Sequence, residues 1–346
     1  MSGRFARALA GEPLAVPPIW LMRQAGRYQA RYQALRARHS FEALCRTPEL
    51  SAEVALGAVL DFDFDAAILF SDLLFPLEAL GMRLSYDDGP PKLDGPLTLE
   101  RVRQFRPLED AAARLVFQRD AMAATRAELP REKGLIGFVG GPWTLFVYAV
   151  EGTHAGALAR AKSSLDLYRA FADRVVPLLK ENIRLQLDGG ADVVMVFDTA
   201  AGELAPDAFG RDIGPDLAAL ARAFPKQLGY YAKGVQAAHL AASGWHDARE
   251  GPVPWAGVGL DWHWDLAKAL TANGRTGFVQ GNFDPSRLLA TGRQLEDDIA
   301  RFVAPLRGLS PEARRGWICG LGHGVLPGTP EASVRTFVNR VRESFA

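Results

Sequence analysis

Two arginines four residues apart, Arg23 and Arg27, stand in the run Pro18-Ile19-Trp20-Leu21-Met22-Arg23-Gln24-Ala25-Gly26-Arg27-Tyr28, directly after an apolar segment. A guanidinium keeps its charge at any accessible pH and forks onto a carboxylate through two parallel hydrogen bonds. Such a pair suits a polyanion, and Gly26 beside it lets a ligand approach the backbone. The plainer alternative is two surface arginines in ordinary ion pairs. In Asp65-Ala66-Ala67-Ile68-Leu69-Phe70-Ser71-Asp72 a second chemical group, the Asp72 carboxylate, comes beyond a segment with no other charge after its first residue. Asp72 can act in a site or cap a helix starting near Leu73, for which Pro76 and Glu78 are suited to the first turns.

Three further segments supply polar groups. Gly137-Phe138-Val139-Gly140-Gly141-Pro142-Trp143-Thr144-Leu145 reads as a strand, a glycine turn and a helix start, and Tyr148 falls one helical turn after Thr144 on the same face. A tight turn and a packing tyrosine explain these residues equally well. Asp198-Thr199 follows another apolar run, and His323 lies in Gly320-Leu321-Gly322-His323-Gly324, where an imidazole is donor, base, or simply a satisfied histidine. None of the six histidines forms a His-Glu-x-x-His or His-x-Cys pair, and Cys319 with His323 gives too few ligands for zinc. There is no Gly-x-Ser-x-Gly, no P-loop and no convincing reactive cysteine. The expectation is a site without metal, organic cofactor or covalent nucleophile, whose chemistry leans on the reactivity of its substrate.

These groups need a frame that gathers the ends of separate strands. Eight short apolar runs, at 16–22, 65–70, 135–140, 192–197, 228–232, 256–260, 277–280 and 317–321, alternate with long amphipathic stretches. Runs that are apolar on both faces suit parallel strands buried on both sides, joined by crossover helices. One such helix is expected over 163–190, capped by Ser163 or Ser164 and stopped at Gly189-Gly190. Eight units without a Gly-x-Gly-x-x-Gly first turn favour an α/β fold of the (β/α)8 TIM-barrel type over an open doubly wound sheet, in a single domain spanning residues 1–346. The stretch at 87–96 reads as a loop insertion. In such a barrel the groups that follow the strands form one rim: Arg23 to Arg27, Ser71-Asp72, Gly140 to Tyr148, Asp198-Thr199, Lys233, Asp261, Gln280 to Asp284 and His323.

The bulk properties narrow the class. Forty basic and forty acidic residues among 346 leave no net charge, so nucleic acid and anionic membranes are not expected as partners, and any positive field must be local. With 48% hydrophobic and 23% charged residues the chain reads as globular, without an apolar run long enough for a membrane span. Two cysteines and an N-terminus without a signal-peptide pattern fit a cytoplasmic protein.

Taken in order, PPIWLMRQAGRY, AAILFSDLLFPLEALGM, GFVGGPWTLFVYAVEG, VFDTAAGELAP, GLDW, VQGNFDP and LGHGVLPGTP resemble the uroporphyrinogen decarboxylase family over nearly the whole chain. The resemblance implies a distorted (β/α)8 barrel, usually a homodimer, that converts uroporphyrinogen III to coproporphyrinogen III and carbon dioxide without a cofactor. It implies that Arg23 and Arg27 bind substrate carboxylates, that the Gln24-Ala25-Gly26 backbone lines the pocket, and that Asp72 hydrogen-bonds the pyrrole N–H groups. Asp72 and Arg27 are the residues expected to be catalytic, and Tyr148, Thr199 and His323 match substrate-contact positions. The chain departs from the family pattern in places. Thr199 stands for serine, Ala200 for tryptophan or histidine, Gly320 for asparagine and Phe283 for leucine; Gln29-Ala30-Arg31 replaces Leu-Pro-Glu, and Thr153-His154 replaces a glycine pair. The rival readings are a methyltransferase that activates its thiol with zinc, for which His and Cys ligands are absent here, and a silent porphyrinogen-binding protein.

Overall fold

The computed structural model describes residues 3–86, 91–242, 254–272 and 277–346. Nine strands occur among them: β1 (Ala66–Ile68), β2 (Leu84–Ser85), β3 (Lys92–Leu93), β4 (Gly134–Gly140), β5 (Val193–Phe197), β6 (Leu228–Tyr231), β7 (Gly257–Gly259), β8 (Phe278–Phe283) and β9 (Trp317–Leu321). Seven of them pair in parallel, and helices occupy most of the chain between, so the fold is mixed α/β. The stretch 87–96, expected to be a loop, contains β3, which pairs antiparallel with β2 just before it; residues 87–90 of that stretch lie outside the described ones. The chain groups into two compact units, each assembled from separated stretches.

The first unit comprises Met1–Phe70, Ala123–Ile136 and Ala256–Ala346. In it β1 runs beside the first half of β4, and β7, β8 and β9 are successive neighbours, with Val279 opposite Trp317 and Phe283 opposite Leu321. The crossover after β8 is the helix Gly292–Arg307, whose buried Leu295, Ile299, Val303 and Leu306 recur at helical spacing. The C-terminal helix Glu331–Phe345 buries Val334, Phe337, Val338 and Val341 in the same way, and the Phe337 ring packs 5.0 Å from that of Phe283.

The expected strand at 16–22 is not a strand. Pro17 and Pro18 have no N–H to give a ladder, and the segment is reduced to one parallel bridge between Ile19 and Cys319. It still does a strand's work. Cys319 donates to Pro18 O at 2.9 Å, Trp20 donates to Cys319 O at 3.3 Å, and Asp65 donates to Ile19 O at 2.8 Å. Asp65 returns the contact through its carboxylate, which accepts from the Ile19 N–H at 2.8 Å and is paired with Arg4 at 3.2 Å and Arg342 at 3.3 Å. The one charge in the 65–70 run is thus a buried tie that holds the 18–20 segment, both terminal helices and the start of β1 together.

The second unit comprises Ser71–Met122 and Gly137–Trp255. Here β5 and β6 pair from Val194 opposite Leu228 to Phe197 opposite Tyr231, and every residue of both is buried. The long helix is Leu165–Asp188. Ser164 is its N-cap but makes no side-chain cap bond, contrary to the capping expected of it, and Gly189 is the C-cap as expected. Gln186 on this helix is fully buried, accepts from Phe138 N–H at 2.7 Å and donates to Phe138 O at 2.8 Å, which locks the helix to the second half of β4.

Candidate active site

In the first unit Arg23 and Arg27 are exposed, on a loop rather than a helix. A turn closes from Leu21 O to Gln24 N at 2.9 Å, and Arg23, third in it, has φ 61. A left-handed non-glycine residue costs roughly 1–2 kcal/mol, so the surroundings must hold this turn. Gln24 does so. Its buried side chain accepts from Leu21 N–H at 3.2 Å and donates to Ala66 O at 2.9 Å, while Tyr28 OH donates to Gln24 O at 2.6 Å. The Gln24 amide therefore faces inward and fastens the arginine turn to β1. Ala25 and Gly26 are partly exposed, and Gly26 O accepts from Gln29 N–H at 2.9 Å.

His323, half-buried, follows β9 in a loop that lies against the same turn. Val325 N–H donates to Met22 O at 2.9 Å, and a Cβ on Gly324 would come within 2.5 Å of Arg23 Cδ, so the arginine stem in its present position packs against the glycine. The Gly322 backbone packs directly on Asp261 and Trp262. Asp261 is buried, not on an open rim; its carboxylate accepts from His263 N–H at 3.0 Å and its carbonyl accepts from Asn282 Nδ2 at 2.7 Å. Gln280 and Asn282 correct the expected rim in the same way, because β8 runs on to Phe283 and both are buried inside it.

In the second unit Asp72 is half-buried, two residues before the N-cap Leu74 of the helix Phe75–Leu80. It is not the N-cap itself. Its Oδ1 accepts from Leu74 N–H at 2.8 Å, which shapes the turn that aims the carboxylate. Leu73 O lies beside Gly140, and the helix Pro142–Glu151 that starts there carries Thr144 and Tyr148. Thr144 is fully buried and its Oγ1 accepts from Ala200 N–H at 3.0 Å, so the Thr199 loop is fixed to the Tyr148 helix; Thr199 is half-buried. Tyr148 OH lies 2.5 Å from His154 Nδ1.

Asp198 is the member of this group that sequence reading undervalued. It is fully buried, its Oδ1 accepts from Thr144 N–H at 2.8 Å and its Oδ2 from Tyr230 OH at 3.3 Å. The carboxylate thereby caps the Pro142–Glu151 helix from another strand, and it presses on Gly141, where a Cβ would meet its Cγ at 2.2 Å. Burial pushes the Asp198 carboxyl up to about 6, against the opposing pull of its hydrogen bonds. The folded chain thus keeps this proton to higher pH than the unfolded chain does. Stability from this group is full below the ordinary carboxylate range and falls as pH rises through about 6. Asp198→Asn removes that slope, so wild type loses roughly 3 kcal/mol relative to the variant between about pH 4 and 7. Urea unfolding of both proteins across that range checks it; parallel curves would contradict it.

Among the described residues no three His, Cys, Asp or Glu side chains are grouped to hold a metal ion, and no helix is long and apolar enough to cross a membrane.

A methyltransferase from Methanosarcina mazei matches this fold with a TM-score of 0.75 at 20% identity, covering 99% of this chain and 98% of that one. Proteins named uroporphyrinogen decarboxylase are much nearer in sequence. That of Pelobacter propionicus is 37% identical over 350 residues, 99% of this chain and 98% of its own length, and that of Trichlorobacter lovleyi is 35% identical over 348 residues, with 99% and 98% covered. The model of the uroporphyrinogen decarboxylase (URO-D) family matches residues 2–344. With a family match from end to end and relatives above a third identical over the same span, this chain belongs to the uroporphyrinogen decarboxylase family.

Proposed function

We propose that this chain removes the four acetate carboxylates of uroporphyrinogen III to give coproporphyrinogen III in tetrapyrrole (heme) biosynthesis, as a carboxy-lyase that uses no metal or organic cofactor. The observation that carries the reading is the family match over residues 2–344, a span that includes the arginine turn, the Asp72 turn and the His323 loop.

The residue types suit the chemistry. Each acetate carboxylate takes up one proton overall and becomes a methyl group and carbon dioxide, so nothing is oxidised or reduced. Direct loss of carbon dioxide would leave a carbanion. Protonation of the pyrrole carbon beside the nitrogen makes an iminium-like acceptor instead; the electron pair of the breaking C–C bond flows into it, the new exocyclic carbon is protonated, and the ring gives back its proton. The substrate thereby supplies the electron sink that pyridoxal phosphate supplies in other decarboxylases. Asp72 is assigned to the pyrrole N–H groups, where its negative charge stabilises the protonated ring, an effect of roughly 3–4 kcal/mol for a preorganised group in a site shielded from water. Arg23 and Arg27 are assigned to substrate carboxylates, with Arg27 also close to the reacting acetate. The Gln24-Ala25-Gly26 backbone is assigned to the pocket wall, and Tyr148, Thr199 and His323 to further substrate contacts.

The same reading includes closure of the parallel strands and the 18–20 segment into a (β/α)8 barrel as a single domain. It also includes a cytoplasmic homodimer without nucleic-acid or membrane partners. The test is anaerobic incubation of purified protein with uroporphyrinogen III. Coproporphyrinogen III and four equivalents of carbon dioxide are expected; unchanged substrate would sink the proposal, and methyl transfer to a thiol would replace it with the rival reading.

A further inference from the structure

Resting on the assignment of Asp72 to the pyrrole N–H groups, we propose that Gln118 and Gln186 are positioning residues for that carboxylate, acting through a chain of buried amides that ends on Ser71. The chain starts from β4. Phe138 N–H donates to Gln186 Oε1 at 2.7 Å, and Gln186 Nε2 donates to Phe138 O at 2.8 Å and to Gln118 Oε1 at 2.9 Å, with Asn182 Oδ1 at 3.3 Å. Gln118 Nε2 then donates to Ser71 Oγ at 3.1 Å, one residue before Asp72. The first link fixes the polarity of the rest. A backbone N–H can only donate, so the Gln186 oxygen must face Phe138; its nitrogen is left for the Gln118 oxygen, and the Gln118 nitrogen for Ser71.

Both amides are buried, and the Gln186 side chain lies against the bare backbone of Gly137. An amide left unpaired in such a place costs about 1–3 kcal/mol, which holds the chain in the arrangement that satisfies each link. What it holds is a turn gripped at several points. Gln118 reaches Ser71 Oγ, Asp72 Oδ1 accepts from Leu74 N–H at 2.8 Å, and Leu73 O lies against Gly140. Phe138 and Gly140 both belong to β4, so one strand fixes the turn at two places, directly at Leu73 and through the two glutamines at Ser71. Packing alone has no need of two buried glutamines, which leucine or methionine would replace. Directed bonds are what a carboxylate gains from them, because a charge-stabilising group must be kept within roughly 0.5 Å of its productive place.

Steady-state kinetics of the full-length protein on uroporphyrinogen III, with melting temperatures alongside, test the proposal. Gln118→Met keeps the volume and removes the amide; it is expected to lower kcat about tenfold and to leave KM within about twofold of wild type, since a displaced charge-stabilising group costs rate more than binding. Ser71→Ala, at the half-buried end of the chain, gives the same loss and adds nothing to Gln118→Met, because the two share one bond. Ser71→Thr keeps the acceptor and recovers most of the activity. In an Asp72→Asn background, Gln118→Met has no further effect on kcat. A wild-type kcat in Gln118→Met, with or without a lower melting temperature, would overturn the proposal, as would additive losses with Ser71→Ala or an equal loss in the Asp72→Asn background. Should Gln118→Met fail to fold, Ser71→Ala decides in its place, a wild-type kcat there being the contrary result. If Asp72→Asn is itself as active as wild type, the assignment of Asp72 fails and this inference with it; if the wild type is inactive, the decarboxylase reading fails and takes both.

Discussion

Asp72→Asn is expected to reduce kcat by roughly 10²–10³-fold while leaving the protein folded, the loss typical of removing one preorganised charge-stabilising group. Asparagine is the informative substitution here. Its Oδ1 can still accept from Leu74 N–H, the bond that shapes the turn before the Phe75–Leu80 helix, so the local backbone is kept and only the charge is removed. Alanine would remove both and confound lost chemistry with a local stability loss of about 1 kcal/mol. Anaerobic turnover with an unchanged melting temperature is the check. Full activity in Asp72→Asn would refute the role given to the carboxylate's charge.

The double variant Arg23→Ala/Arg27→Ala is expected to lower kcat/KM by about 10²–10⁴-fold, taking each charged hydrogen bond to a substrate carboxylate as worth roughly 1.5–3 kcal/mol and the two as partly additive. Neither arginine holds the fold together, since both are exposed and the turn is fastened by the Gln24 side chain instead. Stability should therefore change little. The wild-type KM should also rise with ionic strength, because salt screens attraction between an exposed cationic turn and a polyanion, and the double variant should lose most of that dependence. A double variant with wild-type kcat/KM would remove the arginines from the site.

The alternation of apolar runs made the seven parallel strands legible, because strands buried on both faces leave continuous hydrophobic segments such as Val193–Phe197 and Trp317–Leu321. The segment at 16–22 misled for a local reason. Its apolar side chains suit a strand, but Pro17 and Pro18 withhold the donors a ladder needs, and the N–H of Asp65 and the Asp65 carboxylate do part of the pairing. Polar residues that end up buried were harder to read. Asp65, Asp198, Asp261 and the Gln24 side chain are hydrogen-bonded internal ties, and a one-dimensional pattern does not separate such a tie from a group aimed at ligand. Asp198 and Thr144 meet only because two strand ends come together 54 residues apart in sequence. His154 is the same kind of case: its imidazole gains a partner only where the loop after Glu151 brings it to Tyr148.

The central claim is that this chain performs the decarboxylation with its own side chains and the substrate's own electron sink. The most direct test is turnover of uroporphyrinogen III, under anaerobic conditions, by protein dialysed exhaustively against a strong chelator and freed of small molecules. The account predicts conversion to coproporphyrinogen III with four carbon dioxide released at the rate of untreated protein; loss of activity on dialysis that is restored by a metal ion or an organic cofactor would contradict it.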